Sequence, residues 1–210
     1  MNLDSLHDKY IGHRLFVLGT GPSLHKVDLG LLLGEYTFGL NAFIERFNPP
    51  FIPSFYGVVE DLDRQSKETM LSLDKALADP LCTVFLGDEV SKGWKDIIWV
   101  PVDNKNDMRD EAHFWGSWCN WKHKAARDAT VALDLGVQVG YWMGFNPIYL
   151  LGCELTEARR RGPQDVEKSR EAAHVVAKML GQRGVSVVNL SEGCTVDMPT
   201  QDWREVLLGA

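Results

Sequence analysis

Short unbroken apolar runs, separated by polar segments rich in glycine and proline, set the rhythm of this chain. Residues 15–18, 36–40, 55–59, 83–86, 97–102, 148–151 and 185–189 are each four to six residues long and mostly apolar, with no polar alternation. A strand that is buried on both faces reads this way, whereas a half-buried strand alternates, so the runs predict a mainly parallel sheet covered on both sides. Between the runs lie segments with helical spacing. Residues 64–78 have helical character, and 28–33 suits one or two helical turns. Over 129–143, Val131, Leu135, Val139 and Trp142 recur at three- and four-residue intervals, with Asp128 placed to cap the start and Gly144 to end it. Over 165–181, Val166, Ala173, Val176 and Leu180 mark a second amphipathic helix, and 202–208 reads as a closing helix. The alternation predicts an α/β, Rossmann-like, doubly wound fold with helices on both faces of the sheet.

Residues 103–127 break the pattern. They are polar and then dense in tryptophan: His113-Phe114-Trp115-Gly116-Ser117-Trp118-Cys119-Asn120-Trp121-Lys122-His123. They read as a flap, whose rings either pack or stack on bases and sugar faces, with His113 and His123 as acid–base candidates near neutral pH. No repeat, low-complexity tract or linker appears, so residues 1–210 read as a single nucleotide-binding domain.

The first strand runs directly into Gly19-Thr20-Gly21-Pro22-Ser23-Leu24. Glycines there let backbone N–H groups approach an anion, Pro22 suits the first turn of a helix, and Ser23 adds a hydroxyl. A plain strand-to-helix turn is the competing reading. Leu24 stands where a dinucleotide fingerprint needs its third glycine, and the second strand ends in Asn41 rather than an acidic ribose ligand. A P-loop is excluded, because no Gly-Lys-Ser/Thr follows a glycine-rich run. The run at 148–151 leads into Gly152-Cys153-Glu154; this carboxylate either caps a helix or accepts hydrogen bonds from a ribose or base. Glu60-Asp61-Leu62-Asp63 follows the third strand as either a ligand cluster or a solvated acidic turn.

The net charge of -7 argues against general nucleic-acid binding, which relies on phosphate neutralisation by Lys and Arg. Arg159-Arg160-Arg161 is the densest cationic run, either a solvated loop or a mobile flap that meets an anion. The N-terminus lacks a secretory pattern and no run is long enough for a membrane span, so a cytoplasmic location is expected. Cys82, Cys119, Cys153 and Cys194 are far apart, which predicts reduced thiols rather than disulfides or zinc.

Taken in order, Gly19-Thr20-Gly21-Pro22-Ser23-Leu24, Phe38-Gly39-Leu40-Asn41, Tyr56-Gly57-Val58-Val59-Glu60-Asp61, Ala129-Thr130-Val131-Ala132-Leu133, Gly140-Tyr141-Trp142-Met143-Gly144-Phe145 and Ile148-Tyr149-Leu150-Leu151-Gly152-Cys153-Glu154 resemble the DUF115 family. That family's Rossmann-like domain is similar to that of archaeal 6-hydroxymethylpterin diphosphokinase. The chain also resembles the bacterial sialyltransferases of glycosyltransferase family 42, which share the glycine corner and the later asparagine. The resemblance implies a nucleotide-using fold, with Gly19, Thr20, Gly21, Pro22, Ser23, Asn41, Thr130, Gly152 and Glu154 as nucleotide-binding candidates. Glu60, Asp61, His113 and His123 are the catalytic candidates. Thr130 falls near the Thr-Ser-Gly turn that contacts the donor in the sialyltransferases. Their donor-phosphate tyrosines have no counterpart, because no tyrosine follows Glu154, and His174, the only later histidine, sits mid-helix.

Three functions fit these residues. The favoured one is a glycosyltransferase using a nucleotide-sugar donor and an unknown acceptor, in keeping with the occurrence of family members beside surface-glycan or phage modification genes. It needs no metal for the chemical step if it follows family 42. The second is an ATP-dependent diphosphokinase, with Glu60, Asp61 or Asp63 holding Mg2+ against the phosphates. The third is a catalytically inactive nucleotide-binding protein.

Overall fold

A computed structural model describes residues 3–47, 50–58, 66–87, 97–100, 102–103, 125–126, 132–154, 163–194 and 196–209. The strands are β1 (Leu15–Leu18), β2 (Tyr36–Leu40), β3 (Phe55–Val58), β4 (Thr83–Gly87), β5 (Ile97–Val100), β6 (Val102–Asp103), β7 (Ala125–Ala126), β8 (Ile148–Leu151) and β9 (Val187–Asn189). Seven of them form one open sheet in the order β5-β4-β3-β2-β1-β8-β9, and every neighbouring pair is parallel. The short β6 and β7 pair separately. The expected α/β, Rossmann-like architecture is the observed one.

Alternate residues of β1 supply the two faces, as the two-residue period of a strand requires. Leu15 and Val17 join a cluster with Phe38, Leu135, Val139, Leu150, Val176 and Leu180. Phe16 and Leu18 join another with Leu24, Tyr56, Leu73, Ala76, Leu86 and Trp203. The first cluster is roofed by a helical segment over residues 132–142 and by α3 (Pro163–Gln182). The second is roofed by α1 (Lys67–Ala78), the 3-10 turns after β1 and α4 (Trp203–Leu208). All four residues of β1 are fully buried, which is why the strand carries no polar residue at all.

Helix ends follow local chemistry. Ser66 Oγ accepts from Thr69 N–H at 3.2 Å to open α1, and Asp202 accepts from Arg204 N–H at 2.8 Å to open α4. Gly209, at φ 68°, closes α4. The segment expected to be one α-helix over 129–143 differs in part. Among its described residues Ala132–Val137 is π-helical and Gln138–Trp142 (α2) is regular α-helix. Residues 135–140 are all buried, not only the single stripe that helical spacing predicts, so packing overrides propensity here. A Cβ built at Gly136 would overlap Val17 Cγ1, and one at Gly140 would stand 2.6 Å from Leu15 Cδ2. The two glycines bring this segment close onto β1. Among the described residues no helix is long and apolar enough to cross a membrane.

Candidate functional site

From β1 the chain steps outward through β2, β3, β4 and β5, then returns to insert β8 on the other side of β1. Strand order reverses between β1 and β8, and connections leaving the carboxyl ends of such strands diverge to leave a crevice. Leu18 is level with Leu151 on one side and Gly39 on the other. The glycine corner, Gly152–Glu154 and Asn41 therefore emerge at one sheet edge on three adjacent strands.

The corner is tightly bonded to the β8 exit. Gly19 N–H donates to Leu151 O at 2.8 Å, and Gly21 N–H donates to Gly152 O at 2.8 Å. Ser23 N–H donates to Glu154 Oε1 at 2.5 Å, and Leu24 N–H donates to Gly21 O at 3.2 Å. Pro22 opens the 3-10 helix Pro22–Lys26, as expected of its fixed φ. The amides of Gly19, Gly21 and Ser23, read from sequence as an anion cradle, thus already have partners within the protein. A carboxylate of the chain itself stands at the start of that helix.

This packing explains the glycines. Gly21 has φ -72° and ψ 158°, a conformation open to any residue. What excludes a side chain is proximity. A Cβ at Gly21 would coincide with Glu154 Oε2 and lie 2.6 Å from Gly152 O, and one at Gly19 would overlap Gly152 O and approach Cys153 Sγ to 2.8 Å. Gly152 itself has φ 66°, a left-handed conformation that favours glycine.

Glu154 is only 6% exposed. The turn that carries it is held by a buried network that sequence reasoning did not identify. Cys153 N–H donates to Ser191 Oγ at 2.8 Å, Asn189 Nδ2 donates to Cys153 O at 2.9 Å, and Ser191 N–H donates to Asn189 Oδ1 at 2.8 Å. The available signal was the asparagine closing an apolar run at 189, just as Asn41 closes another. Burial first, and the nearby Glu154 charge second, push the Cys153 thiol up to about 12.

Asn41 adopts φ 51°, which asparagine tolerates better than most residues. Its backbone oxygen accepts a hydrogen bond from the Tyr56 hydroxyl, and burial raises the pKa of that hydroxyl. Asn41 Oδ1 and Ser23 Oγ are both buried and have no hydrogen-bond partner among the described residues. Unsatisfied buried polar atoms are uncommon, and each calls for an explanation. Thr20 is half-buried and Pro22 is exposed. Beyond β9 an open cleft of about 590 Å³ is bordered by residues 189–194 and 200–205, with an ion-pair chain from Lys26 through Glu192 to Arg204 at its rim.

Glu60, Asp61, His113, His123 and Thr130 lie outside the described residues, as do Asp63, the tryptophan-rich stretch and Arg159-Arg160-Arg161. His174 is half-exposed on α3, its Nδ1 2.7 Å from Asp197 O, in keeping with a surface role. Among the described residues no group of three or more His, Cys, Asp or Glu side chains is placed to hold a metal ion.

The order of the parallel sheet defines a Rossmann-like α/β protein. Its fold is similar to that of a solved mutant of the alpha-2,3/8-sialyltransferase CstII, with a TM-score of 0.53 over 87% of this chain and 83% of that one, at 12% sequence identity. No family model matches the chain, and no curated protein matches it. The likeness is one of fold, and the motif resemblance to DUF115 has no family match beside it.

Proposed function

We propose that the chain is a nucleotide-dependent transferase, specifically a glycosyltransferase that takes a nucleotide-sugar donor at the crevice where β1, β2 and β8 end. The observation that carries this reading is Asn41, held in a left-handed conformation at the end of β2 with a buried Oδ1 that has no partner among the described residues. An amino group of a base or a hydroxyl of a sugar would satisfy it. The fold likeness to a sialyltransferase supports the class of donor without specifying the sugar, and the lack of tyrosine after Glu154 argues against sialyl transfer by that enzyme's phosphate-binding groups. Asp61, Glu60, His113 and His123 remain the candidates to take the acceptor hydroxyl's proton.

The test is calorimetry of the wild type and Asn41→Gly against a panel of nucleotides and nucleotide sugars, with and without EDTA. Glycine keeps the left-handed backbone and the carbonyl that receives Tyr56, so the variant folds. One donor binds the wild type, binding persists in EDTA, and Asn41→Gly weakens it about tenfold or more, the expected cost of one buried hydrogen bond. Binding of ATP alone, with turnover that requires Mg2+ and is lost in Asp61→Asn, would promote the diphosphokinase. No binding by any member of the panel refutes the nucleotide reading.

A further inference from the structure

We infer that Glu154 makes the glycine corner a reader of ligand hydroxyls and keeps phosphate out of it, so that the ribose of a bound nucleotide faces the corner and its phosphates lie elsewhere. The inference rests on the nucleotide reading above and assigns the orientation within the same crevice.

Three observations meet at this point. Three of the backbone donors that a phosphate would use are committed: Gly19 N–H to Leu151 O, Gly21 N–H to Gly152 O, and Ser23 N–H to Glu154 Oε1. The second carboxylate oxygen, Oε2, lies over the Gly21 backbone, where a Cβ would coincide with it, and accepts no hydrogen bond from any described residue. No described Lys, Arg or His forms an ion pair with Glu154.

A carboxylate is an acceptor only, and a phosphate brought against it meets like charge in a mostly buried setting. A sugar diol is neutral and brings two donors. One reaches Oε2, and Ser23, whose amide is bonded to the same carboxylate, carries a buried hydroxyl with no partner among the described residues. The Asn189–Ser191–Cys153 network holds the Glu154 turn in place before any ligand arrives, so the acceptor is preorganised.

The experiment uses adenosine, cytidine, guanosine and uridine with their 2′-deoxy and 3′-deoxy forms, titrated by calorimetry into the wild type and Glu154→Gln. Gln keeps an oxygen for Ser23 N–H but presents a donor where Oε2 stood. In the wild type the best ribonucleoside binds about tenfold or more tighter than one of its deoxy forms, the worth of a hydrogen bond to a charged acceptor. Glu154→Gln reduces that ratio to about threefold or less, since the acceptor is gone.

Inorganic phosphate titrated into 15N-labelled wild type leaves the Gly21 and Ser23 amide resonances unmoved. Equal affinity for ribo and deoxy forms in the wild type, undiminished discrimination in Glu154→Gln, or phosphate-dependent shifts at those two amides would each overturn the inference. If Glu154→Gln does not fold, the two wild-type measurements decide. Failure of every nucleoside and nucleotide to bind overturns the parent reading and this one with it, whereas ribose-blind binding overturns this one alone.

Discussion

Gly21→Ala tests whether the corner is built around Glu154. Because Gly21 has φ -72° and ψ 158°, alanine meets no backbone penalty, and any cost must come from what its Cβ touches. Two neighbours are in the way, the Glu154 carboxylate and Gly152 O. Displacing the carboxylate breaks its bond to Ser23 N–H, worth about 1.5–3 kcal/mol for a charged acceptor, and pushing Gly152 away weakens a backbone bond worth about 0.5–1.5 kcal/mol. Gly21→Ala is therefore expected to cost about 2–4.5 kcal/mol in urea unfolding. In a Glu154→Ala background the carboxylate is already gone, so the same change costs only about 0.5–1.5 kcal/mol. The double-mutant cycle should show a coupling of about 1.5–3 kcal/mol, with the double variant more stable than the sum of the single losses predicts. Additivity within about 0.5 kcal/mol would refute the reasoning, because it would mean that Gly21 and Glu154 do not share the space.

Asn189→Ala removes the side chain that bridges Cys153 O and Ser191 N–H, and both groups are then left buried without a partner. It is expected to destabilise the protein by about 2–5 kcal/mol in urea unfolding, and a loss under about 1 kcal/mol would show that the network does not hold the β8 exit. Alkaline pH gives an independent check on burial. The Cys82 and Cys153 thiols are pushed by burial from an ordinary value of 9.0 up to about 12. Below pH 9.0 they are protonated in both folded and unfolded chains, and their contribution to stability is whole. As pH rises further only the unfolded chain ionises, and the contribution is lost by the time pH passes about 12. The urea midpoint should fall from about pH 9 upward, with a shallower fall in Cys153→Ala; an identical slope in that variant would contradict the burial argument.

Much of the scaffold is legible along the chain because it is local. The unbroken apolar runs mark strands buried on both faces, and β1 is fully buried as its four apolar residues demand. Pro22 starts a helical turn, Gly144 at φ 89° ends one, and Asn41 and the glycine corner fall on the same edge because each directly follows a strand. Periodicity could not show that residues 135–140 are buried on all sides, and so it missed the π-helical stretch, which depends on how closely Gly136 and Gly140 approach β1.

The character of the corner was decided only in three dimensions. Two glycines and a serine read alone as amides waiting for an anion, and the same composition serves equally to admit a neighbouring carboxylate. Which of the two holds depends on β8 returning to lie beside β1, because only then does Glu154, 131 residues further along, reach Ser23 N–H. Asn189 closes an apolar run and bonds locally to Ser191, but their bonds to Cys153 depend on the fold, since that partner lies 36 and 38 residues away, across the end of a neighbouring strand. Sequence pattern records which residues are buried along one element, whereas hydrogen bonding between strand exits depends on the order in which the sheet brings those strands together.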